Sequence, residues 1–166
     1  MQTSTHVSDE KKEELGIIFP GMRDHHILNI YRDLRNKLLR ISDYQNFVCV
    51  LSSLSPDGDT AKLSMNLAAV FAFDKSRSSI VIECDTNHSL IEKLSTQESD
   101  NGLIDFIEND LDDISILIQE SGIERLRIVP AGNVIETSTE SLESIRMREI
   151  VTELKKRYPD RYIFIN

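Results

Sequence analysis

The sequence predicts an α/β protein built on a mainly parallel sheet with helices on both faces. Three observations predict it. Apolar runs rich in Val, Ile, Leu and Phe recur at 46–54, 78–85, 123–132 and 160–166. They are near-continuous rather than alternating, as strands covered on both faces require. Segments of helical periodicity separate them, and the strand–helix alternation fits crossover connections between parallel neighbours.

Taken in order, residues 1–15 are polar and charged, and are expected to form a disordered tail. Pro20-Gly21 marks a turn. "HHILNIYRDLRNKLLRI" then places Ile27, Ile30, Leu34, Leu38 and Ile41 on one helical face, with Arg32, Arg35 and Lys37 elsewhere. The run "NFVCVLSSL" is the first strand, and a helix over about 60–74 follows with Leu63, Leu67, Val70 and Phe71 on one side. "SSIVIECD" is the second strand, followed by a short helix from His88 to Leu94. "GLIDFIEND" reads as a further helix, and "DISILIQESG" as a short apolar segment closed by Gly122. "IERLRIVPAG" is a third strand broken at Pro130. Ser141–Arg157 is a helix with Met147, Ile150, Val151 and Leu154 inward, and "DRYIFIN" is a fourth strand.

The bulk composition narrows the function. The 166 residues suffice for one full core, residues 16–166 forming a single domain. A net charge of -9 argues against a generic nucleic-acid or anionic-membrane surface. No stretch approaches the ~18 apolar residues of a membrane span, and the first residues lack the apolar core of a secretory signal. Cys49 and Cys84 lack metal-ligand spacing and read as reduced core residues of a cytoplasmic protein. His25-His26 are adjacent, which is not a metal-binding spacing on a helix.

The stretch Leu51–Phe71, "LSSLSPDGDTAKLSMNLAAVF", has the strand–loop–helix frame of a phosphate-binding loop without its G-x-x-x-x-G-K-[ST] pattern. Together with "FPGMRD" (19–24), "IYRDLRNKLL" (30–39), "IVIECD" (80–85), "GLIDFIE" (102–108), "GIERLRIVPAG" (122–132) and the segment 144–166, it resembles one family. This is the tyrosine-autokinase or ATPase domain of bacterial exopolysaccharide and capsule biosynthesis, within the MinD/ParA-like group of P-loop proteins. The resemblance implies a P-loop NTPase-like fold. It also implies that the C-terminal part of the full domain is missing, because the Walker B position falls on Asn166 and the family's later strands and tyrosine cluster have no counterpart.

Aligned on "NLAA" (66–69), the family loop falls on Pro56, Asp57, Gly58, Asp59, Thr60, Ala61 and Lys62. Aspartates stand where two glycines are expected, Thr60 where the lysine would be, and Ala61 where a magnesium-binding hydroxyl would be. A carboxylate ~5 Å from a triphosphate costs a few kcal/mol at an effective dielectric near 20. Lys62, set into the helix, is expected to point its stem away from the loop. The family's acidic motif falls on Glu83 and Asp85. These residues could hold metal weakly, or Asp85 or Asn87 could cap the next helix. The family's E-x-x-R-x-x-R oligomerisation motif falls on Asn29, Arg32 and Arg35, which would serve either as an interface or as a solvated basic face. Tyr158 and Tyr162 read as core or boundary residues rather than phosphosites.

The resemblance, with these departures, implies a non-catalytic protein with no cofactor and no metal. It would work by contact with an autokinase paralogue or a membrane polysaccharide co-polymerase. It would be cytoplasmic, drawn to the inner membrane by a partner, not itself inserted, and open to oligomerisation. Two alternatives are an ATP- and Mg²⁺-dependent tyrosine autokinase with an irregular loop, using Lys62, Glu83 and Asp85, and a MinD/ParA-like positioning regulator.

Overall fold

The computed structural model describes residues 7–55, 58–85, 90–94, 101–109, 113–133 and 142–166. Five strands form one sheet: β1 (Val48–Val50), β2 (Ser78–Ile82), β3 (Gln119–Glu120), β4 (Leu126–Val129) and β5 (Arg161–Ile165), in the order β1-β5-β2-β4-β3. The four longer strands are parallel and are those the sequence predicts, while β3 runs antiparallel to β4. β3 is too short to show a periodicity, and a one-turn 3₁₀ helix at Ile114–Leu117 precedes it.

Six helices complete the described fold: α1 (Asp9–Glu14), α2 (His25–Ile41), α3 (Thr60–Ala72), α4 (Leu90–Leu94), α5 (Leu103–Glu108) and α6 (Ile145–Arg157). None is long and apolar enough to cross a membrane. The strand pleat sorts the core into two layers. Val81, Ile128, Tyr162 and Phe164 pack with α2 and α3, whereas Ile80, Ile82, Val129, Ile163 and Ile165 pack with α5 and α6. Phe47, Phe71, Tyr162 and Phe164 form an aromatic cluster with centroid separations of 4.5–6.1 Å.

α3 is buried almost all round, as a helix wedged between the sheet and a second helix layer must be. Leu67, Val70 and Phe71 lie inside as expected, but Leu63 is partly exposed near its start. α6 begins at Ile145, with Ser144 as N-cap accepting the Met147 N–H at 3.4 Å. Ile150 and Leu154 are buried, and Met147 and Val151 pack beside them.

Two expectations need correction. The segment 7–15 is ordered: Ser8 caps α1, and Lys12 is buried, pairing with Asp9 at 3.0 Å. Apolar Ile17 and Ile18 just beyond it anchor the segment in the core, which outweighs its polar composition. α2 is also rolled relative to the predicted face. Leu28 is buried, with Tyr31, Leu34, Leu38 and Leu39 packed inward, while Ile27, Ile30 and Ile41 are 40%, 53% and 82% exposed. Arg35 helps set the roll by donating from Nη1 to the Val70 carbonyl at 2.8 Å, a charge-assisted bond that helical periodicity alone cannot reveal.

Candidate functional site

In an open parallel sheet the carboxyl ends of the strands converge on one edge, where ligands usually sit. Here the ends of β1, β2 and β5 bring three sequence-distant groups together. Glu83 follows β2 and Asn166 follows β5. The β2–β5 register pairs Ile82 with Ile165, so Glu83 and Asn166 are lateral neighbours. Asn166 N–H donates to the Ile82 carbonyl at 3.2 Å, and Cys84 N–H to the Asn166 carbonyl at 2.8 Å. The Glu83 side chain is fully buried. Ser64, one turn into α3, has Oγ 2.9 Å from the Ala61 carbonyl and 3.1 Å from Asn166 Oδ1, its one hydroxyl proton shared between the two acceptors. Asn166 Nδ2 is buried without a hydrogen-bond partner among the described residues.

The described residues of the β1–α3 loop bond to one another. Ser55 N–H donates to Ser53 Oγ at 3.0 Å, Gly58 N–H to the Ser55 carbonyl at 3.0 Å, and Thr60 N–H to the Gly58 carbonyl at 3.1 Å. Gly58 is needed for space, because a Cβ there would run into Ser53 Oγ. Asp59 is the N-cap of α3: its Oδ1 accepts the Lys62 N–H at 2.9 Å, and its Oδ2 pairs with Lys62 Nζ at 3.1 Å. Burial pushes the Asp59 carboxyl up, but the Lys62 backbone bond, side-chain bond and charge together hold it below the usual range. The Lys62 stem lies near Gly16, and its ammonium turns back to Asp59. Pro56 and Asp57 lie outside the described residues, as does Asn87.

Thr60 opens α3 half-buried and Ala61 is buried behind it, while Asp85 is half-buried beyond β2. Burial, with the Glu83 charge adding, pushes the Cys84 thiol up to about 12, and burial alone raises Cys49. Among the described residues no three His, Cys, Asp or Glu side chains form a cluster fit for a metal. On α2, Asn29 and Arg32 are exposed, whereas Arg35 is turned inward, so the three do not share one surface. Tyr162 is buried in the aromatic cluster, and Arg161 stacks on the half-buried Tyr158 at 3.9 Å.

Sequence reasoning passed over Ser64, and also Asp105, which braces the β4 end of the site. Asp105 Oδ2 accepts the Gly102 and Asn133 N–H groups at 2.9 and 3.1 Å, and Oδ1 accepts Asn133 Nδ2 at 3.0 Å. Burial opposes these bonds, yet the Asp105 carboxyl stays below its usual value. A glycine followed three residues later by Asp, just before an apolar helix, was the available signal.

These elements form a mostly parallel sheet with a strand–loop–helix at its carboxyl edge, the arrangement expected of a P-loop NTPase-like fold. No family model matches the chain, and no curated protein matches it. Solved structures do. The chain is similar to the "BceF Tyrosine Kinase Domain", with a TM-score of 0.74 at 23% identity over 95% of this chain. It is also similar to the "chimerical protein CapA2B2", with a TM-score of 0.74 at 16% identity over 96% of this chain and 75% of that one. The kinase domain of Escherichia coli tyrosine kinase ETK gives 0.68 at 24% identity, covering 81% of this chain and 52% of that one. The fold is therefore that of bacterial tyrosine kinase domains, in agreement with the resemblance read from the motifs. The chain spans 64% of the length of the BceF domain.

Proposed function

We propose that this chain is a non-catalytic relative of the bacterial tyrosine autokinases that acts through protein contacts in polysaccharide assembly. One observation carries the reading: the anion position at the start of α3 is taken by the chain's own Asp59. A working phosphate loop presents free backbone N–H groups and a lysine to the phosphates. Here the N–H groups of Ser55, Gly58, Thr60 and Lys62 donate within the segment, and the Lys62 ammonium is paired with Asp59. A polyphosphate would have to displace that carboxylate or lie against it, at a cost of a few kcal/mol. Asn166 supplies no carboxylate beside Glu83, and Ala61 offers no hydroxyl to a magnesium ion. These residues do not fit a magnesium nucleotide. The contacts would be made with an autokinase paralogue or with the cytoplasmic part of a membrane polysaccharide co-polymerase, and Asn29 and Arg32 are among the exposed groups of α2 available to them.

The test is calorimetric titration of the purified chain with ATP and Mg²⁺. No saturable binding below about 1 mM is expected, a threshold worth roughly 4 kcal/mol of binding free energy. Sub-millimolar binding would overturn the reading and favour an autokinase with an irregular loop. The contact itself is tested by co-purification with an autokinase domain, which Arg32→Glu is expected to weaken.

A further inference from the structure

The amino ends of the strands, opposite the candidate site, hold a second feature. Arg35 and Leu39 of α2, Phe71 near the end of α3, Asp74 just past it and Tyr162 at the start of β5 line a cavity of about 260 Å³. Ligand pockets commonly start near 300 Å³, and a dry cavity of roughly 150 Å³ can hold benzene. This cavity therefore suits one ring with a small substituent. Its walls are apolar on one side: Leu39 lies beside the rings of Phe71 and Tyr162, whose centroids are 4.5 Å apart.

The other side is cationic. Arg35 is held by its bond from Nη1 to the Val70 carbonyl at 2.8 Å, which leaves the Nε edge of the guanidinium uncommitted. Arg35 Nε is buried with no hydrogen-bond partner among the described residues. Outside the lining, the Arg77 guanidinium lies 6.0 Å from the Tyr162 ring centroid. The lining carboxylate, Asp74, is committed to Ser76, accepting its N–H at 2.9 Å and its Oγ–H at 2.8 Å. Two guanidinium groups thus face one carboxylate that is already hydrogen-bonded, which leaves room for a second negative charge.

We propose that this cavity binds a small organic acid: a carboxylate carrying a single ring or an apolar group of similar size. The carboxylate pairs with the Arg35 guanidinium, whose planar fork matches its geometry. The ring lies against Leu39, Phe71 and Tyr162. The site is separate from the strand–loop–helix edge and does not depend on whether nucleotide binds there.

Benzoate is the probe, titrated into the full isotopically labelled chain and followed by amide resonances. Benzamide serves as the neutral isostere and inorganic phosphate as the anion without a ring. Saturable benzoate shifts at Leu39, Phe71 and Tyr162 are expected, with benzamide binding at least about 10-fold more weakly, since a hydrogen bond to a charged group is worth ~1.5–3 kcal/mol. Arg35→Gln removes the guanidinium charge and is expected to weaken benzoate by a similar factor. Leu39→Trp, which fills the cavity but retains the guanidinium, should abolish the shifts. The proposal is overturned if benzoate gives no saturable change in the folded protein or if benzamide or phosphate binds as well. Undiminished benzoate binding in either folded variant would overturn it too.

Discussion

The side-chain oxygen of Asn66 accepts the Ile18 backbone N–H at 2.8 Å, in the core and across 48 residues of sequence. The same amide donates from Nδ2 to the Gly16 carbonyl at 3.0 Å. One buried side chain in α3 thus satisfies two backbone groups of the segment that leads from α1 into the core. It does the work of a strand ladder for a stretch that has no strand to pair with.

Replacing Asn66 with Ala would leave the buried Ile18 N–H without a partner, whereas Gly16 is exposed and its carbonyl can turn to water. A buried unsatisfied group costs ~1–3 kcal/mol, so Asn66→Ala is expected to destabilise the fold by about that much. Urea unfolding measures it. A loss below about 1 kcal/mol would mean that water replaces the amide.

Asp59→Ala removes the cap of α3 and is expected to cost about 1 kcal/mol near neutral pH. The pH dependence has a defined sign. Asp59 is held below its ordinary value of 3.8 in the folded chain, so its contribution is present above that value. It fades as the pH falls through the lower folded value. The gap in unfolding free energy between wild type and Asp59→Ala should therefore be flat from pH 5 to 7 and narrow below about pH 4. A gap that widens on acidification would contradict the cap.

Asn166→Asp would set a second carboxylate beside the buried Glu83. Two carboxylates sharing a site cannot both ionise cheaply, so one is expected to titrate well above its usual range. The variant should be less stable than wild type at pH 7 by roughly 1–3 kcal/mol, with the deficit shrinking toward pH 4 as one proton is taken up. Thermal unfolding at the two pH values separates this from a general loss of packing, which acid would not repair.

Cys84 is pushed up to about 12 from an ordinary 9.0, first by burial and then by the Glu83 charge. The thiolate is the reactive form. At pH 8 native Cys84 should therefore react with a disulfide reagent roughly three orders of magnitude more slowly than the unfolded chain. Because the folded value is raised, the native state is not penalised below pH 9 and loses stability as the pH climbs past it. Cys84→Ser is expected to flatten that alkaline decline. Rapid labelling of native Cys84 at pH 8 would refute the burial argument.

Much of the architecture was legible in the chain. The four parallel strands and the positions of α3 and α6 follow from continuous apolar runs and helical spacing, which are local properties. Departures in the loop at Gly58–Lys62 could be read residue by residue against a known motif. The cap role of Asp59 is legible too, since an aspartate directly before a helix is an ordinary start signal.

By itself, the sequence determined the four parallel strands and the helices between them, their order, and the residue types at the carboxyl edge, but not α1 or β3. The tertiary structure alone decided which groups meet there. Glu83 and Asn166 become neighbours because β2 and β5 pair in parallel register, and Ser64 reaches Asn166 because α3 packs on that pair. Tertiary packing likewise turned α2 so that Arg35 points inward and Ile41 outward, and it drew the polar segment 9–14 into a helix. The physical reason is range: periodicity reports each segment's own preferences, whereas roll, register and convergence are set by partners that lie dozens of residues away.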